Sequence, residues 1–260
     1  MKCVLTIAGS DSSGGAGIQA DLKTMTVHKV YGMSVITALT AQNTIGVYEV
    51  MEASPEFVAN QMDCVFTDIR PDAVKIGMVS NSKIIKVIAD KLKEYKATNI
   101  VIDPVMVSTS GSKLMNDEAY DILVKELLPL GKVITPNISE AEVLSGINIE
   151  NWDDMEKAME VLKTYTKEGI LLKGGHLGDS ADDLLWNGKE NIWYTGKHIE
   201  NENTHGTGCT LSSAIACNLA LGFSTEESIK RAKDYVTTLL SSTMNLGKGN
   251  GPLEHTFILK

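Results

Sequence analysis

The sequence predicts an α/β protein in which a parallel sheet is wrapped by helices. Short runs rich in β-branched residues alternate with amphipathic stretches that are long enough for crossover helices. The runs are mainly apolar, as expected for strands that helices cover on both faces. We expect a single domain over residues 1–260, because this length suits one α/β domain and no repeat or composition break marks a linker.

Each element follows from local pattern. Six apolar runs are predicted to be strands, and they span residues 3–8, 34–39, 73–77, 99–103, 132–136 and 170–174. Apolar residues at three- and four-residue spacing predict two core-facing helices, one with Phe57, Val58, Met62, Val65, Phe66 and Ile69, the other with Ile84, Ile85, Ile88 and Leu92. Asn187-Gly188 predicts an edge hairpin over 183–195, and two further helices are expected over 209–221 and 225–244.

Charge and cysteine content limit the class of partner. The formal net charge is −9 and the 24 basic residues are scattered, so neither nucleic acid nor an anionic membrane is an expected ligand. The four cysteines show no metal-type spacing, which fits a reducing compartment. The first apolar run meets Asp11 too early for a signal peptide, and no run approaches the length of a membrane span. We expect a cytoplasmic protein that binds small molecules.

Two glycine-rich segments are candidate ligand loops. Residues 8–17 follow the first strand, at the edge where open parallel sheets bind ligands, and residues 203–212 lead into an Ala- and Leu-rich helix. Their glycines allow backbone N–H groups to approach an anion at a helix start. The first segment is not a P-loop, since it lacks the pattern G-x-x-x-x-G-K-[ST]. A flexible turn would use the same residues, so this loop alone does not define a site.

Cys209 lies at the start of the Ala- and Leu-rich helix, directly after His205-Gly206-Thr207-Gly208. The N–H groups of Gly206 to Cys209 can converge on an anion, and the helix dipole can lower the pKa of a thiol there below about 8.5. Cys209 is therefore a candidate base or nucleophile. The alternative is a small buried hydrophobic residue beside a capping turn, but two flanking glycines and the absence of a packing pattern favour chemistry.

Seven blocks of the sequence resemble the hydroxymethylpyrimidine/phosphomethylpyrimidine kinases of thiamine biosynthesis, a family of the ribokinase-like superfamily. The resemblance implies a three-layer α/β/α fold with a mainly parallel sheet, ATP with Mg²⁺, transfer of a γ-phosphoryl group to a hydroxymethyl group, and a homodimer. The blocks run in order through nearly the whole chain, and they are AGSDSSGGAGIQADLKT (8–24), ITALTAQNT (36–44), VKIGM (74–78), IDPVMV (102–107), TPNISEAEVL (135–144), LKGGH (172–176) and HGTGCTLS (205–212).

By this resemblance Cys209 is the proton acceptor of the reaction. Phosphoryl transfer has a loose, highly charged transition state, so catalysis depends on positioning and on neutralising charge. Gly206, Thr207 and Gly208 are expected to hold the moving phosphoryl oxygens. Thr204 and Thr207 are expected to add hydroxyl contacts. No covalent thiol intermediate is expected.

A second group of residues is predicted to hold the nucleotide and its metal. Asn137 and Glu140 match the family's N-x-x-E motif that orders magnesium and its waters, although the same pattern is a capping box. Ser139 stands where many relatives have proline. Asp103 is a candidate metal residue, or a turn residue before Pro104. Lys173 is either a source of positive charge for the ATP phosphates or an ordinary solvated lysine.

The loop after the second strand is expected to select the substrate. Gln42 carries an amide that both donates and accepts, which suits the ring nitrogen and 4-amino group of an aminopyrimidine. By resemblance, Gln42 is the pyrimidine contact, and Gly9, Met78 and Val105 line the ring. Any of these residues could instead belong to the core.

Three alternatives stay open on sequence alone. A pyridoxal kinase of the same superfamily shares the first block and a catalytic cysteine, although residues 41–44 and 173–176 favour the pyrimidine enzyme. A thiol hydrolase would use Cys209 with His205 or His176, neither of which has a recognisable orienting partner. A non-catalytic sensor would bind a pyrimidine without consuming ATP.

Overall fold

A nine-stranded sheet forms the centre of the computed structural model, which describes residues 1–106, 115–175, 177, 180–196 and 199–259. The strands are β1 (Cys3–Asp11), β2 (Tyr31–Gln42), β3 (Val47–Glu52), β4 (Ala73–Ile76), β5 (Ile100–Ile102), β6 (Val133–Ile134), β7 (Gly169–Lys173), β8 (Asp183–Trp186) and β9 (Asn191–Tyr194). Their order is β3-β2-β1-β4-β5-β6-β7-β8-β9. The six central strands, β2, β1, β4, β5, β6 and β7, pair in parallel. Strand β3 and the β8–β9 hairpin are antiparallel to their neighbours.

Helices cover both faces of this sheet. Within the described residues they are α1 (Gly17–Val27), α2 (Pro55–Asp68), α3 (Ser82–Glu94), α4 (Asp117–Ile122), α5 (Ile138–Ser145), α6 (Trp152–Leu162), α7 (Thr207–Ala220) and α8 (Thr225–Leu240), with a π-helical turn over Leu123–Leu127 after α4. No helix in these ranges has the length and apolarity required to cross a membrane.

The sheet divides the apolar core into two parts. Helices α2 to α6 pack against one face, and α1, α7 and α8 pack against the other. Because side chains alternate along a strand, Val74 and Ile76 of β4 enter the first core while Ala73 enters the second. Lys75 lies between Val74 and Ile76 in the strand and therefore faces α1 and α7.

Most of the sequence-based elements are confirmed. All six predicted strands, the edge hairpin and the helices are present, although α8 ends at Leu240 and not at residue 244. The three-layer α/β/α arrangement with a mainly parallel sheet is confirmed as well. Strand β3 escaped prediction because all six of its residues are exposed, so its pattern carries no core signal.

The prediction for Phe57 and Ile69 is wrong. Phe57 is 59% exposed and Ile69 is 39% exposed, whereas Val58, Met62 and Phe66 are buried. The buried residues repeat every four positions along α2, so Phe57 lies on the neighbouring solvent-facing stripe and Ile69 lies beyond the last helical residue.

Candidate active site

The loop after β1 closes around the carboxylate of Asp11. The N–H groups of Ser13, Gly15 and Ala16 donate to it at 2.8, 3.1 and 2.8 Å, and His205 Nε2 lies 2.8 Å from it. Burial opposes ionisation, but the hydrogen bonds from His205, Ser13 and Ala16 outweigh it and hold the pKa of Asp11 well below the usual range. The glycine-rich segment 8–17 is therefore held in one conformation by hydrogen bonds to Asp11.

Gln42 lies beside this loop at the end of β2. Its backbone N–H donates to Ser12 Oγ at 2.9 Å, and Ser12 Oγ donates to the Gln42 carbonyl oxygen at 2.8 Å. The side-chain Oε1 accepts from Thr40 at 3.1 Å, and Nε2 lies 3.4 Å from His205 Nε2. The amide is thus half-buried and held by groups from β2 and from the turn before α7.

The other predicted substrate residues lie around the ends of β1, β4 and β5. A Cβ added to Gly9 would lie 3.0 Å from Met78 Cε, so the glycine lets the thioether rest against the backbone of β1. Met78 is half-buried directly after β4. Val105 is half-buried after β5 and lines a small cavity together with Gly77 and Asp103. Gly9 and Met78 are thus close together, whereas the cavity beside Val105 is lined by neither of them, and a shared role around a substrate ring stays a prediction.

Asp103 and Lys173 form an ion pair across the ends of β5 and β7. Lys173 Nζ donates to Asp103 Oδ1 at 2.9 Å, and Thr135 Oγ1 donates to the same oxygen at 3.1 Å. Burial raises the pKa of Asp103, but the charges of Lys173 and Lys75 outweigh it and lower the pKa overall. A Cβ added to Gly208 would lie 3.4 Å from Asp103 Oδ2 and 3.6 Å from Lys173 Nζ. The pair therefore sits directly against the start of α7.

Asn137 and Glu140 form the capping box that starts α5. Asn137 Oδ1 accepts from the Glu140 N–H at 2.9 Å, and Glu140 Oε2 accepts from the Asn137 N–H at 2.8 Å. Burial raises the pKa of Glu140 to about 7, and Asp103 adds to the rise while Lys173 opposes it. The structural interpretation of N-x-x-E is thus correct, and the motif also lies next to the Asp103–Lys173 pair.

The turn before α7 is shaped by a glycine that no other residue replaces without strain. Gly206 is the N-cap at φ 84°, and a Cβ on it would lie 1.9 Å from the Gly15 carbonyl oxygen. The Thr207 hydroxyl donates to Thr204 O at 2.8 Å and the Thr207 N–H to the same oxygen at 3.2 Å, while the Thr204 side chain is exposed. The N–H groups of Gly208 and Cys209, in the first turn of α7, are left to bind an anion.

Cys209 is half-buried in that first turn, and the pKa of its thiol differs from the prediction. Burial raises its pKa above the ordinary value, although Lys75 and the Gly17 N–H, which donates to the sulfur, pull it down. Desolvation therefore outweighs the charge of Lys75 and the Gly17 hydrogen bond, and the expectation of a lowered thiol pKa is wrong for the protein by itself.

Two charged residues near Cys209 were missed by sequence reasoning. Lys75 is fully buried and pairs with Asp21 at 2.9 Å. Asp21 also accepts from Thr6 and Ser213 at 2.6 and 2.7 Å. The available signal was a lysine inside the apolar run AVKIG, which is expensive unless paired.

The carboxylates at this site fit a magnesium ion that is held mainly by water and phosphate. The described residues contain no group of three or more His, Cys, Asp or Glu side chains that could hold a metal. Asp103 and Glu140 lie close enough for the charge of each to affect the other. Two oxygen-bearing side chains match the few direct protein ligands that Mg²⁺ takes beside a nucleotide.

Solved structures that superpose closely on this chain include kinases. A Bacillus subtilis pyridoxal kinase solved as an ADP complex superposes with a TM-score of 0.91 at 35% identity, over 100% of this chain and 99% of that one. A phosphomethylpyrimidine kinase from Clostridium difficile superposes with a TM-score of 0.81 at 49% identity, over 91% and 98% of the two chains. The fold is ribokinase-like, and the protein is an ATP-dependent phosphotransferase.

The chain belongs to the phosphomethylpyrimidine kinase family, whose model matches residues 11–254. It is 48% identical to a hydroxymethylpyrimidine/phosphomethylpyrimidine kinase of Rhizobium meliloti over 96% of both chains. It is also 49% identical to the thiamine biosynthesis bifunctional protein ThiED of Geobacter sulfurreducens. That match includes 97% of this chain but only 52% of the longer bifunctional protein.

Proposed function

We propose that this chain is a bifunctional hydroxymethylpyrimidine/phosphomethylpyrimidine kinase with one kinase domain. It transfers the γ-phosphoryl group of ATP to 4-amino-5-hydroxymethyl-2-methylpyrimidine and then to the resulting monophosphate, in thiamine biosynthesis. The main support is that the first turn of α7, which contains Cys209, lies against the Asp103–Lys173 ion pair at Gly208. Membership of the family supports the choice of substrate.

The start of α7 and the residues around it can perform phosphoryl transfer. The N–H groups of Gly208 and Cys209 are available to an anion at the positive end of the helix, and Gly206 shapes the turn that presents them. Lys173 is buried enough for its charge to act strongly on nearby phosphate oxygens. The substrate hydroxyl oxygen attacks the γ-phosphorus, Cys209 as its thiolate takes the hydroxyl proton and becomes a thiol, and ADP leaves with the electrons of the broken P–O bond.

Asp103 and Glu140 are the residues that would hold Mg²⁺, with Asn137 ordering the water around it. The ion neutralises phosphate charge when it is bound. Asp103 is ionised because Lys173 and Lys75 lower its pKa. Glu140, with a pKa of about 7, gains a full charge when a nearby cation offsets the cost of its burial.

Gln42 is proposed to read the pyrimidine edge, with Gly9, Met78 and Val105 against the ring. The amide is already held by Thr40 and lies close to His205, so its orientation is set before substrate arrives. The Met78 thioether rests over Gly9, which leaves an apolar wall for an aromatic face.

Pyridoxal kinase is the second candidate, since the Bacillus subtilis enzyme superposes so closely. Asp11 orients His205, but no contact joins His205 to Cys209 within the described residues, so the hydrolase alternative has little support. His176, the other histidine considered for it, lies outside the described residues. A sensor would not require the buried charges that surround Cys209.

The homodimer is proposed to form through the exposed edge of the sheet. Strand β3 pairs with β2 on one side only, which leaves its other edge to a second copy of the chain. Apolar side chains on and beside this edge are exposed, namely Leu39, Ile45, Val47, Tyr48, Val50 and Met51. Sedimentation of the purified protein tests whether it forms a dimer. The cytoplasmic location stays a prediction.

The decisive experiment is ATP consumption with Mg²⁺, offering the hydroxymethylpyrimidine and pyridoxal separately and resolving the products by mass. We expect a pyrimidine monophosphate followed by a diphosphate. Phosphorylation of pyridoxal alone would keep the mechanism and overturn the substrate. No ATP consumption with either compound would overturn the kinase proposal.

A further inference from the structure

Lys75 is an ammonium group with no exposed surface. It lies in β4 between the core residues Val74 and Ile76, and its own side chain points to the opposite layer of helices. Nζ is 3.0 and 2.9 Å from the two carboxylate oxygens of Asp21 on α1. A buried pair of this kind costs desolvation energy and is often less stabilising than apolar residues of similar size, so stability alone does not account for it.

The pair is fixed to the helix that carries Cys209. Ser213 Oγ donates to Asp21 Oδ1 at 2.7 Å, and Thr6 Oγ1 donates to Oδ2 at 2.6 Å. Because Ser213 follows Cys209 by one helical turn, both side chains lie on the same face of α7. The ion pair is therefore directly below the turn that presents the thiol.

Gly77 directs the ammonium towards the strand end. A Cβ added to Gly77 would lie 2.7 Å from Lys75 Nζ, so the lysine side chain occupies the space that any other residue would fill. Position 77 directly follows β4 and faces the same side as Lys75. The ammonium therefore lies towards the carboxyl end of the strand. The spacing Lys-x-Gly gives the cation access to the level of the active site.

The charged groups that act on the Cys209 thiol come from several elements. They are Lys75 of β4, Asp21 of α1 and Asp103 after β5, and the Gly17 N–H donates to the sulfur. Lys173 of β7 lies beside Gly208, the residue before Cys209. Lys75 stays charged, because the nearby Asp21, Cys209 and Asp103 outweigh burial and raise its pKa. Of the charges named as acting on the thiol, Lys75 is the cation.

We propose that Lys75 is a positioning residue for catalysis, whose charge, aimed by Asp21 and Gly77, stabilises the Cys209 thiolate. This inference depends on the proposed role of Cys209 as proton acceptor. The thiol releases its proton to solvent, the thiolate stands beside the ammonium, and it then takes the proton of the substrate hydroxyl as oxygen bonds to phosphorus. Lys75 itself neither gains nor loses a proton.

The test measures the thiol directly and needs no turnover. In a Cys3→Ser, Cys64→Ser background, the rate of Cys209 alkylation by iodoacetamide is followed against pH, with the site identified by peptide mass. Lys75→Met should raise the midpoint by about one pH unit, which is about a tenfold loss of thiolate at a given pH. Gly77→Ala keeps every charge but displaces the ammonium, and should shift the midpoint in the same direction.

Two further variants keep the result interpretable. Should Lys75→Met fail to fold, the pair is replaced together by Lys75→Met with Asp21→Leu, and the midpoint should still rise. Lys91→Met removes a different, partly buried ion pair with Asp63, and should leave the midpoint unchanged. An unchanged Cys209 midpoint in the Lys75 variants would overturn the inference and assign the pair a structural role. Full turnover by Cys209→Ala would instead overturn the proton-acceptor role.

Discussion

His205 Nε2 lies 2.8 Å from the Asp11 carboxylate, although 194 residues separate the two in the chain. This contact joins the loop after β1 to the turn before α7, so the substrate side of the site is connected to the phosphoryl side. The same histidine nitrogen lies 3.4 Å from the amide of Gln42. Asp11 therefore orients the histidine beside which the proposed substrate contact lies.

Replacing Asp11 by Asn should weaken both the loop and the substrate site. We expect the KM for the pyrimidine to rise about tenfold and the free energy of unfolding at pH 7 to fall by about 2 kcal/mol, since buried N–H groups lose an ionised acceptor. The pKa of Asp11 is lowered in the folded protein, so its stabilisation is present above about pH 4 and is lost as pH falls further. Urea unfolding at pH 7 and pH 3 should show the difference shrinking. A constant difference would contradict the assignment of the effect to the charge.

Gln42→Ala should raise the KM for the pyrimidine at least tenfold and leave the KM for ATP within about twofold. The reason is the loss of one or two hydrogen bonds to the substrate, each worth about 1 kcal/mol. Asn43→Ala is a matched control, because the Asn43 side chain accepts from Ile45 and Gly46 within its own turn. Equal losses for ATP and pyrimidine in the Gln42 variant would count against its assigned role.

Cys209→Ala should lower kcat by about 10² to 10³, the usual contribution of a positioned base, with the KM for ATP nearly unchanged. Initial rates of ADP release measure this. Cys217→Ala is the control, since that thiol is fully buried two turns further along α7 and should affect stability only. A kcat near the wild-type value for Cys209→Ala would show that another group accepts the proton.

Glu140 should make the protein less stable as pH rises. Its pKa is raised to about 7 in the folded protein, against about 4.3 when unfolded, so the folded state binds more protons between these values. The free energy of unfolding should fall through this window by up to about 4 kcal/mol and level off above pH 7. Glu140→Gln keeps an acceptor for the Asn137 N–H and should remove this slope in urea titrations at pH 5 and 8. An identical slope in the variant would place the titration elsewhere.

Gly206→Ala should abolish activity and destabilise the fold, because it adds a clash to an unfavourable backbone conformation. Gly222, just past the other end of α7, has φ 93° and nothing within 4 Å of an added Cβ. Gly222→Ala therefore measures the backbone strain alone, about 1 kcal/mol. Thermal unfolding and initial rates of both variants separate the two effects. Equal destabilisation would mean that the Gly15 carbonyl moves aside without cost.

The elements that carry an apolar pattern could be predicted from the sequence. Runs such as residues 3–8 and 170–174 are apolar on both faces because helices cover them, and that requirement is visible in the residue types. The loops that follow these strands could then be placed at one edge of the sheet. Gln42, Asp103 and Lys173 were found at such strand ends, whereas Cys209 was found from the glycines before its helix. Their roles came from the family resemblance and remain proposals.

Features that depend on distant partners could not be predicted. The burial of Lys75 is explained only by Asp21, 54 residues earlier, and by Gly77. The helix start at Cys209 suggested a low thiol pKa, but the sequence does not report how strongly the surrounding residues exclude water. Strand β3 is exposed along its length, so it resembles a loop until its hydrogen bonds to β2 are seen.

The joining of chain segments 8–21 and 205–213 has a consequence for synthesis on the ribosome. Ser213 reaches Asp21 only after 192 further residues have been translated, so a nascent chain holds its first loop unfinished for most of its production. Strands β1, β2 and β4 can already pair while the face that α7 will cover stays open to water. Asp21 and Lys75 are hydrated charges during that interval, and they keep this open face from presenting an uninterrupted apolar surface to other nascent chains.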